Sequence, residues 1–264
     1  PWGHDFWLPI TNVRSDIIDE GVTLHFTLPE SLKVVSSGRF EGTTAKADGW
    51  LTHHWRVSRP ANRNLIGFYA APFRKIEQNY ESVSGKRFPL TYWVLPENFE
   101  LGKEIHSQTL QTMNFFEKLL GPYPFQGEKA VLIDSPFLGL GPAAYTAYGV
   151  QAAQELMTSR DSSLIINGWH QVAFHEFGHQ WWGGLVGMSH PEDVWLIEDM
   201  DGYMVALFME MQYGKLAYHE WMARLTRPSV EEKPVIPSDF KTVKRDYSDY
   251  RGSFKYASAK GGAA

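Results

Sequence analysis

His175-Glu176-Phe177-Gly178-His179 sets two imidazoles four residues apart with a carboxylate between them. On a helix of about 3.6 residues per turn, such positions lie about 40° apart around the axis and one turn apart along it, so both rings can reach one metal ion. Glu176, about 100° round from His175, is placed to meet a water on that ion and not to ligate it. Zinc suits this donor set, because it takes imidazole and carboxylate in tetrahedral geometry and a water-activating site leaves one position open. A third ligand is needed. Glu198, with eighteen residues between it and His179, is the candidate. The expectation is a Zn2+ centre on His175, His179 and Glu198, with Glu176 as general base.

The elements that position these residues are helical. The spacing predicts one helix from about Ser162 to Trp182, stopped at Gly183-Gly184, a second from about Leu196 to Tyr213, stopped at Gly214, and a third over roughly Lys215 to Leu225. Upstream, Leu101, Ile105, Leu110, Met113, Phe116 and Leu119-Leu120 fall mostly on one helical face, which Gly121-Pro122 ends. Ala130-Val131-Leu132-Ile133 reads as a short buried strand, and the glycine-punctuated run Leu138 to Tyr145 as an exposed sheet edge. From Glu20 to about Phe73, short runs alternate apolar and polar residues between Gly, Pro, Asn and Asp breaks. That is the pattern of antiparallel β-structure. Leu90 to Leu95 repeats it after a loop at Ser82 to Lys86. The Pro-rich, charged stretch from Arg227 to Gly252 reads as a surface loop.

Composition narrows the function classes. The chain has 264 residues, 43% of them hydrophobic, and a net charge of −5, which leaves no basic stripe to neutralise a nucleic-acid backbone. With no cysteine, a transition-metal site must be built from His and carboxylates. No apolar run approaches the roughly 18 residues of a membrane span, and Pro1-Trp2-Gly3-His4 does not read as a leader. A first residue other than Met and the end at Gly261-Gly262-Ala263-Ala264 suggest a fragment. The oligomeric state is open. Each of the other histidines (His4, His25, His53, His54, His106, His170, His190 and His219) reads as structural; most of the 10 Trp, of which Trp181, Trp182 and Trp195 flank the metal segment, read as core or domain packing, the alternative for some being a hydrophobic side-chain pocket.

The run His175 to Gly183, followed by Trp195-Leu196-Ile197-Glu198, resembles the signature of the aminopeptidase N family of zinc gluzincins, including the gap to the ligand Glu. Phe6-Trp7-Leu8-Pro9, Leu32 to Gly38 and Ala70-Ala71-Pro72-Phe73 are similar to the end of that family's N-terminal β domain. The resemblance implies an α+β chain. Residues 1–74 would be the C-terminal part of an antiparallel β domain, and 75–264 a thermolysin-like catalytic domain, incomplete at its C-terminus, with the family's C-terminal helical domain absent. It implies a peptide substrate lying extended along the edge at Gly139, Gly141, Ala143 and Ala144.

Two positions depart from the family pattern. The family carries a Gly-x-Met-Glu-Asn motif whose Glu holds the substrate's free α-amine. Here that place is Gly141-Pro142-Ala143-Ala144-Tyr145, and no acid occurs between Asp134 and Glu155. The family's oxyanion-stabilising Tyr, two residues before a Lys-Gly pair, is replaced by Ser258, with Tyr256 nearby as a candidate substitute. Loss of one such donor typically costs about 10²–10³ in rate. Where relatives have Asn-Glu-Gly this chain has Ile197-Glu198-Asp199, with Asp201 following. Acids at a helix N-terminus are expected to face solvent, the alternative being that they orient a ligand imidazole. The residues thus describe a zinc metallopeptidase without the usual amine anchor, or alternatively a zinc-bound pseudopeptidase that binds peptides or proteins.

Overall fold

The computed structural model describes residues 17–62, 66–127, 129–135, 148–151, 165–166, 168–187 and 195–226. Within them the fold is mixed α and β. The chain divides into two compact units, Pro1–Gln180 and Trp181–Ala264.

The first unit opens with β1 (Ile17–Ile18), β2 (Val22–Pro29), β3 (Lys33–Ser36), β4 (Arg39–Ala45), β5 (Trp50–Val57), β6 (Ala61–Asn62) and β7 (Phe68–Ala71). All pair antiparallel, as a three-stranded sheet in the order β2-β5-β4 and as the pairs β3-β7 and β1-β6. Alternation of apolar and polar residues puts Leu24, Leu28, Trp55 and Val57 inside while Thr23, His25 and Thr27 face water.

A four-stranded sheet follows, in the order β11-β10-β9-β8, from β8 (Arg74–Glu81), β9 (Arg87–Val94), β10 (Ala130–Ser135) and β11 (Tyr148–Gln151). β8 and β9 form an antiparallel hairpin, whereas β9, β10 and β11 run parallel. A parallel neighbour requires a crossover. Helix α1 (Phe99–Leu120) supplies it between β9 and β10 and packs on β8 and β9. Gly102 permits this approach: a Cβ there would lie 3.1 Å from both Ile76 Cδ1 and Val94 Cγ2. The central strand β10 is buried from Ala130 to Ile133, the near-continuous apolar run of a parallel strand covered on both faces.

β4 and β8 form without the sequence pattern of a strand. β4 is exposed along almost its whole length and β8 buries only Tyr80, so neither carries the apolar alternation that marks a half-buried strand. β8 is held instead by its turn, where Gly85 adopts φ 78° and donates to Ser82 O, and by one buried carboxylate. Glu117 of α1 accepts hydrogen bonds from Tyr80 Oη (2.9 Å), Ser82 Oγ (2.6 Å), and the backbone N–H groups of Val83 (2.9 Å) and Tyr123 (2.6 Å). Burial and the adjacent Glu117 carboxylate push the Tyr80 phenol well above its ordinary range.

Lys129 ties the β-rich start of the unit to this layer. Its ammonium lies 4.1 Å from the Trp55 ring centroid and donates to the carbonyls of Ser36 and Gly38.

In the first unit α2 spans Gln171–Gly178; the second unit contains α3 (Trp195–Tyr213) and α4 (Lys215–Thr226), preceded by a tight turn at Gly183. Gly214 joins α3 to α4 with φ 85° and donates to Glu210 O, and Trp221 Nε1 donates to Gly202 O (3.1 Å) across the helical hairpin. No helix among the described residues is long and apolar enough to cross a membrane.

Glu117→Ala removes the acceptor of four donors at once, most of them buried, and is expected to cost about 3 kcal/mol or more, with Glu117→Gln costing less. Urea denaturation followed by circular dichroism measures this. A midpoint unchanged in Glu117→Ala would show that the carboxylate carries no stability.

Candidate metal centre

Helix α2 spans only Gln171–Gly178, a correction at both ends to the expected helix from about Ser162 to Trp182. The chain before it is extended: β12 (Ile165–Ile166) pairs antiparallel with β13 (Trp169–His170), and Gly168 turns between them at φ 82°. Adjacent β-branched residues and a left-handed glycine favour that hairpin over a continued helix.

Helix α1 holds the start of α2. Gln108 Oε1 accepts from the His170 backbone N–H (2.9 Å), and Gln108 Nε2 donates to Gly168 O (2.8 Å). One turn earlier on α1, Glu104 Oε1 stands 3.6 Å from His170 Nε2. His170 is buried, and burial keeps its imidazole below the ordinary histidine range despite the opposing pull of Glu104.

Aromatic packing then fixes the rotation of α2. Phe174 sits against Phe115 and Phe116 of α1, with ring centroids 5.9 Å and 5.2 Å away, and Phe177, fully buried, stacks on Tyr123 at 6.2 Å and 10°. Phe174 and Phe177 thereby claim one side of the helix. His175 and His179 are left together on another.

Their rings meet edge to face, with centroids 4.7 Å apart and planes at 79°. His179 lies just past the last helical residue yet keeps helical torsions (φ −59°, ψ −11°), so the one-turn spacing survives the helix end. His179 and Glu176 are buried and His175 is half-buried. Behind His179, the buried Gln180 lies within hydrogen-bond reach of the Tyr123 hydroxyl through its Oε1 (3.0 Å), and the same hydroxyl is 2.9 Å from Lys129 O. Two imidazoles converging beside a buried carboxylate offer donors that a divalent transition-metal ion could take.

Of the remaining expected site residues, Glu198 lies on α3, one residue-turn into the helix, and its side chain is outside the described residues. Gly139, Gly141, Ala143, Ala144, Tyr256 and Ser258 are also outside them. Asp199 and Asp201 overturn an expectation. Both are buried, Asp201 completely, where the helix N-terminus had suggested solvent-facing acids. Their position gave no hint of this, since a charge near a helix start is favourable in water as well. His106 conforms to its structural reading, its Nε2 lying 2.9 Å from Leu90 O in the core.

Comparison with known proteins places these features in a family. Residues 105–256 match the profile of the Peptidase family M1 domain. The chain is 23% identical over 222 residues to transcription initiation factor TFIID subunit 2 of Gallus gallus, covering 82% of this chain and 18% of that protein. It is 27% identical over 206 residues to glutamyl aminopeptidase of Sus scrofa, covering 76% of this chain and 21% of the relative. The fold superposes with a TM-score of 0.71 on the crystal structure of an M1 zinc metallopeptidase from Deinococcus radiodurans, at 18% identity, over 98% of this chain and 54% of that one. The chain thus spans about a fifth of the length of these two relatives.

The depressed pKa of His170 has a consequence for stability. Its folded-state value lies below the unfolded value of about 6.5, so the unfolded chain binds the proton first and stability falls as pH drops below that value. His53, also buried and also lowered, by desolvation first and then by Lys33 and His54, acts in the same direction. Melting temperatures between pH 8 and pH 5 are expected to decline below about pH 6.5, and less steeply in His170→Gln. An identical slope in that variant would remove His170 from the account.

Proposed function

Because the chain belongs to peptidase family M1, we propose that it hydrolyses peptide bonds with a zinc-activated water, using His175, His179 and Glu198 as metal ligands and Glu176 as general base. The observation that carries this reading is the pair of converging imidazoles with a buried carboxylate beside them on a helix locked in rotation. The donors suit zinc: two neutral imidazoles and one carboxylate make a three-ligand catalytic set.

Bound there, the ion supplies Lewis acidity, lowering the pKa of a water to about 7 and polarising the scissile carbonyl. Glu176 takes the proton of the attacking water and delivers it to the leaving nitrogen. Its burial excludes competing solvent from the carboxylate. Asp201, buried three residues on from Glu198, is proposed to orient a ligand imidazole through its ring N–H. Tyr256 is the proposed replacement for the family's oxyanion-stabilising Tyr, and Gly139, Gly141, Ala143 and Ala144 the edge along which the peptide lies.

The relatives with aminopeptidase names suggest trimming from a free N-terminus, but between Asp134 and Glu155 no carboxylate occurs to bind an α-amine. The proposed activity therefore does not depend on a free N-terminus. A second reading, a zinc-bound pseudopeptidase that binds peptides or proteins, draws on the similarity to TFIID subunit 2 and on Ala144 and Ser258. Retention of Glu176 beside both histidines weighs against it, since a purely structural metal needs no general base.

In the full-length protein, Glu176→Gln is expected to lower turnover of a broad peptide library about 10²–10⁴-fold. Equal background in wild type and variant would sink the enzyme reading in favour of the binding one. Acetylated and free N-terminal versions of one cleaved peptide should turn over at comparable rates, and a strong preference for the free form would restore aminopeptidase specificity.

A further inference from the structure

The solvent face of the β2-β5-β4 sheet brings two more imidazoles together. His25 on β2 and His54 on β5 are directly opposed in the antiparallel register. Their rings meet edge to face, with centroids 4.8 Å apart, and their Nδ1 atoms are 2.7 Å apart. Neutral imidazole nitrogens approach this closely only when one carries the hydrogen and the other offers its lone pair. The third strand engages the far side of His54, whose Nε2 lies 2.8 Å from Thr44 Oγ1 on β4, a hydroxyl that can accept or donate. In the tautomer that gives the Nε2–H of His54 to Thr44, the Nδ1 lone pair of His54 points at His25. A metal-ligating histidine is held in the same way, one nitrogen free and the other N–H engaged by an acceptor.

We propose that His25 and His54 form a two-imidazole site for a late divalent transition-metal ion, separate from the centre on α2. On binding, the hydrogen of His25 moves from Nδ1 to its other ring nitrogen, Nε2, so the ring stays neutral and both Nδ1 lone pairs face the ion. Metal–nitrogen bonds of about 2.0–2.1 Å require the two nitrogens to open from 2.7 Å to roughly 3.0–3.4 Å, a small rotation for an exposed ring. Water completes the coordination.

The sheet supplies rigidity on either side of the pair. Thr27 and Thr52 are hydrogen-bonded across the same strands at 2.8 Å, and Arg56 donates to Thr23 Oγ1 at 2.7 Å. That bond, with a second from Arg56 to Glu20 O, directs the guanidinium along the strands and away from the imidazoles. His53, the residue before His54, faces the interior and takes no part. Imidazole donors without thiolates suit zinc, copper and nickel.

The test is calorimetric titration of the chelator-stripped, full-length protein with Zn2+. Wild type is expected to show a tight class and a second, weaker class. His25→Asn, an exposed substitution whose folding circular dichroism verifies, should abolish the weaker class and leave the tight one. Thr44→Val should weaken it about tenfold by releasing the His54 tautomer. His179→Asn should remove the tight class alone, so a failure of the α2 centre reads out separately. A weaker class that persists unchanged in His25→Asn, or that is missing from wild type up to millimolar zinc, overturns the proposal.

Discussion

An eight-residue helix does not hold itself together in water, because nucleation costs more than two turns of hydrogen bonds return. Everything about the proposed metal centre depends on how α2 is held from outside. Gln108 fixes where the helix starts, and the stacking of Phe174 and Phe177 on Phe115, Phe116 and Tyr123 fixes how it is rotated. Only with both settled do His175 and His179 converge while Glu176 stays buried beside them. The proposed chemistry belongs to α2 and its geometry to α1.

The supporting layer is organised around buried carboxylates that are fully engaged. Glu117 gathers the β8-β9 turn and the chain leaving α1 onto one side chain. Asp134, at the end of β10, accepts from Asn98 Nδ2 (2.8 Å) and from the Leu95 backbone N–H (3.1 Å), which fixes the approach to α1 from the other end. Such groups are costly to bury alone and add specificity when every lone pair finds a donor. Together they set α1 on the sheet at both ends, and α1 in turn sets α2.

Much of this was legible in the residues. The amphipathic period of α1 and its glycine stop, the two helices that meet at Gly214, and the one-turn spacing of the histidines all follow from local pattern, and the structure repeats them. What escaped was decided by partners distant in the chain. β8 is polar along its length and becomes a strand because Glu117 and β9 hold it. The segment before α2 looked helical by period and is a hairpin. Asp199 and Asp201 looked like ordinary helix-start acids and are buried. The His25–His54 pair was unreadable for a similar reason, since its members lie 29 positions apart and meet only through strand register.

The dependence of α2 on Gln108 also bears on how related sequences should be compared. Both of its hydrogen bonds reach across about sixty residues, to Gly168 and to His170. A descendant of this chain could keep every letter from His175 to His179 and still lose the centre by drifting at Gln108, Phe115 or Tyr123. The motif and the site it spells are inherited separately, and the upstream helix is where their histories diverge.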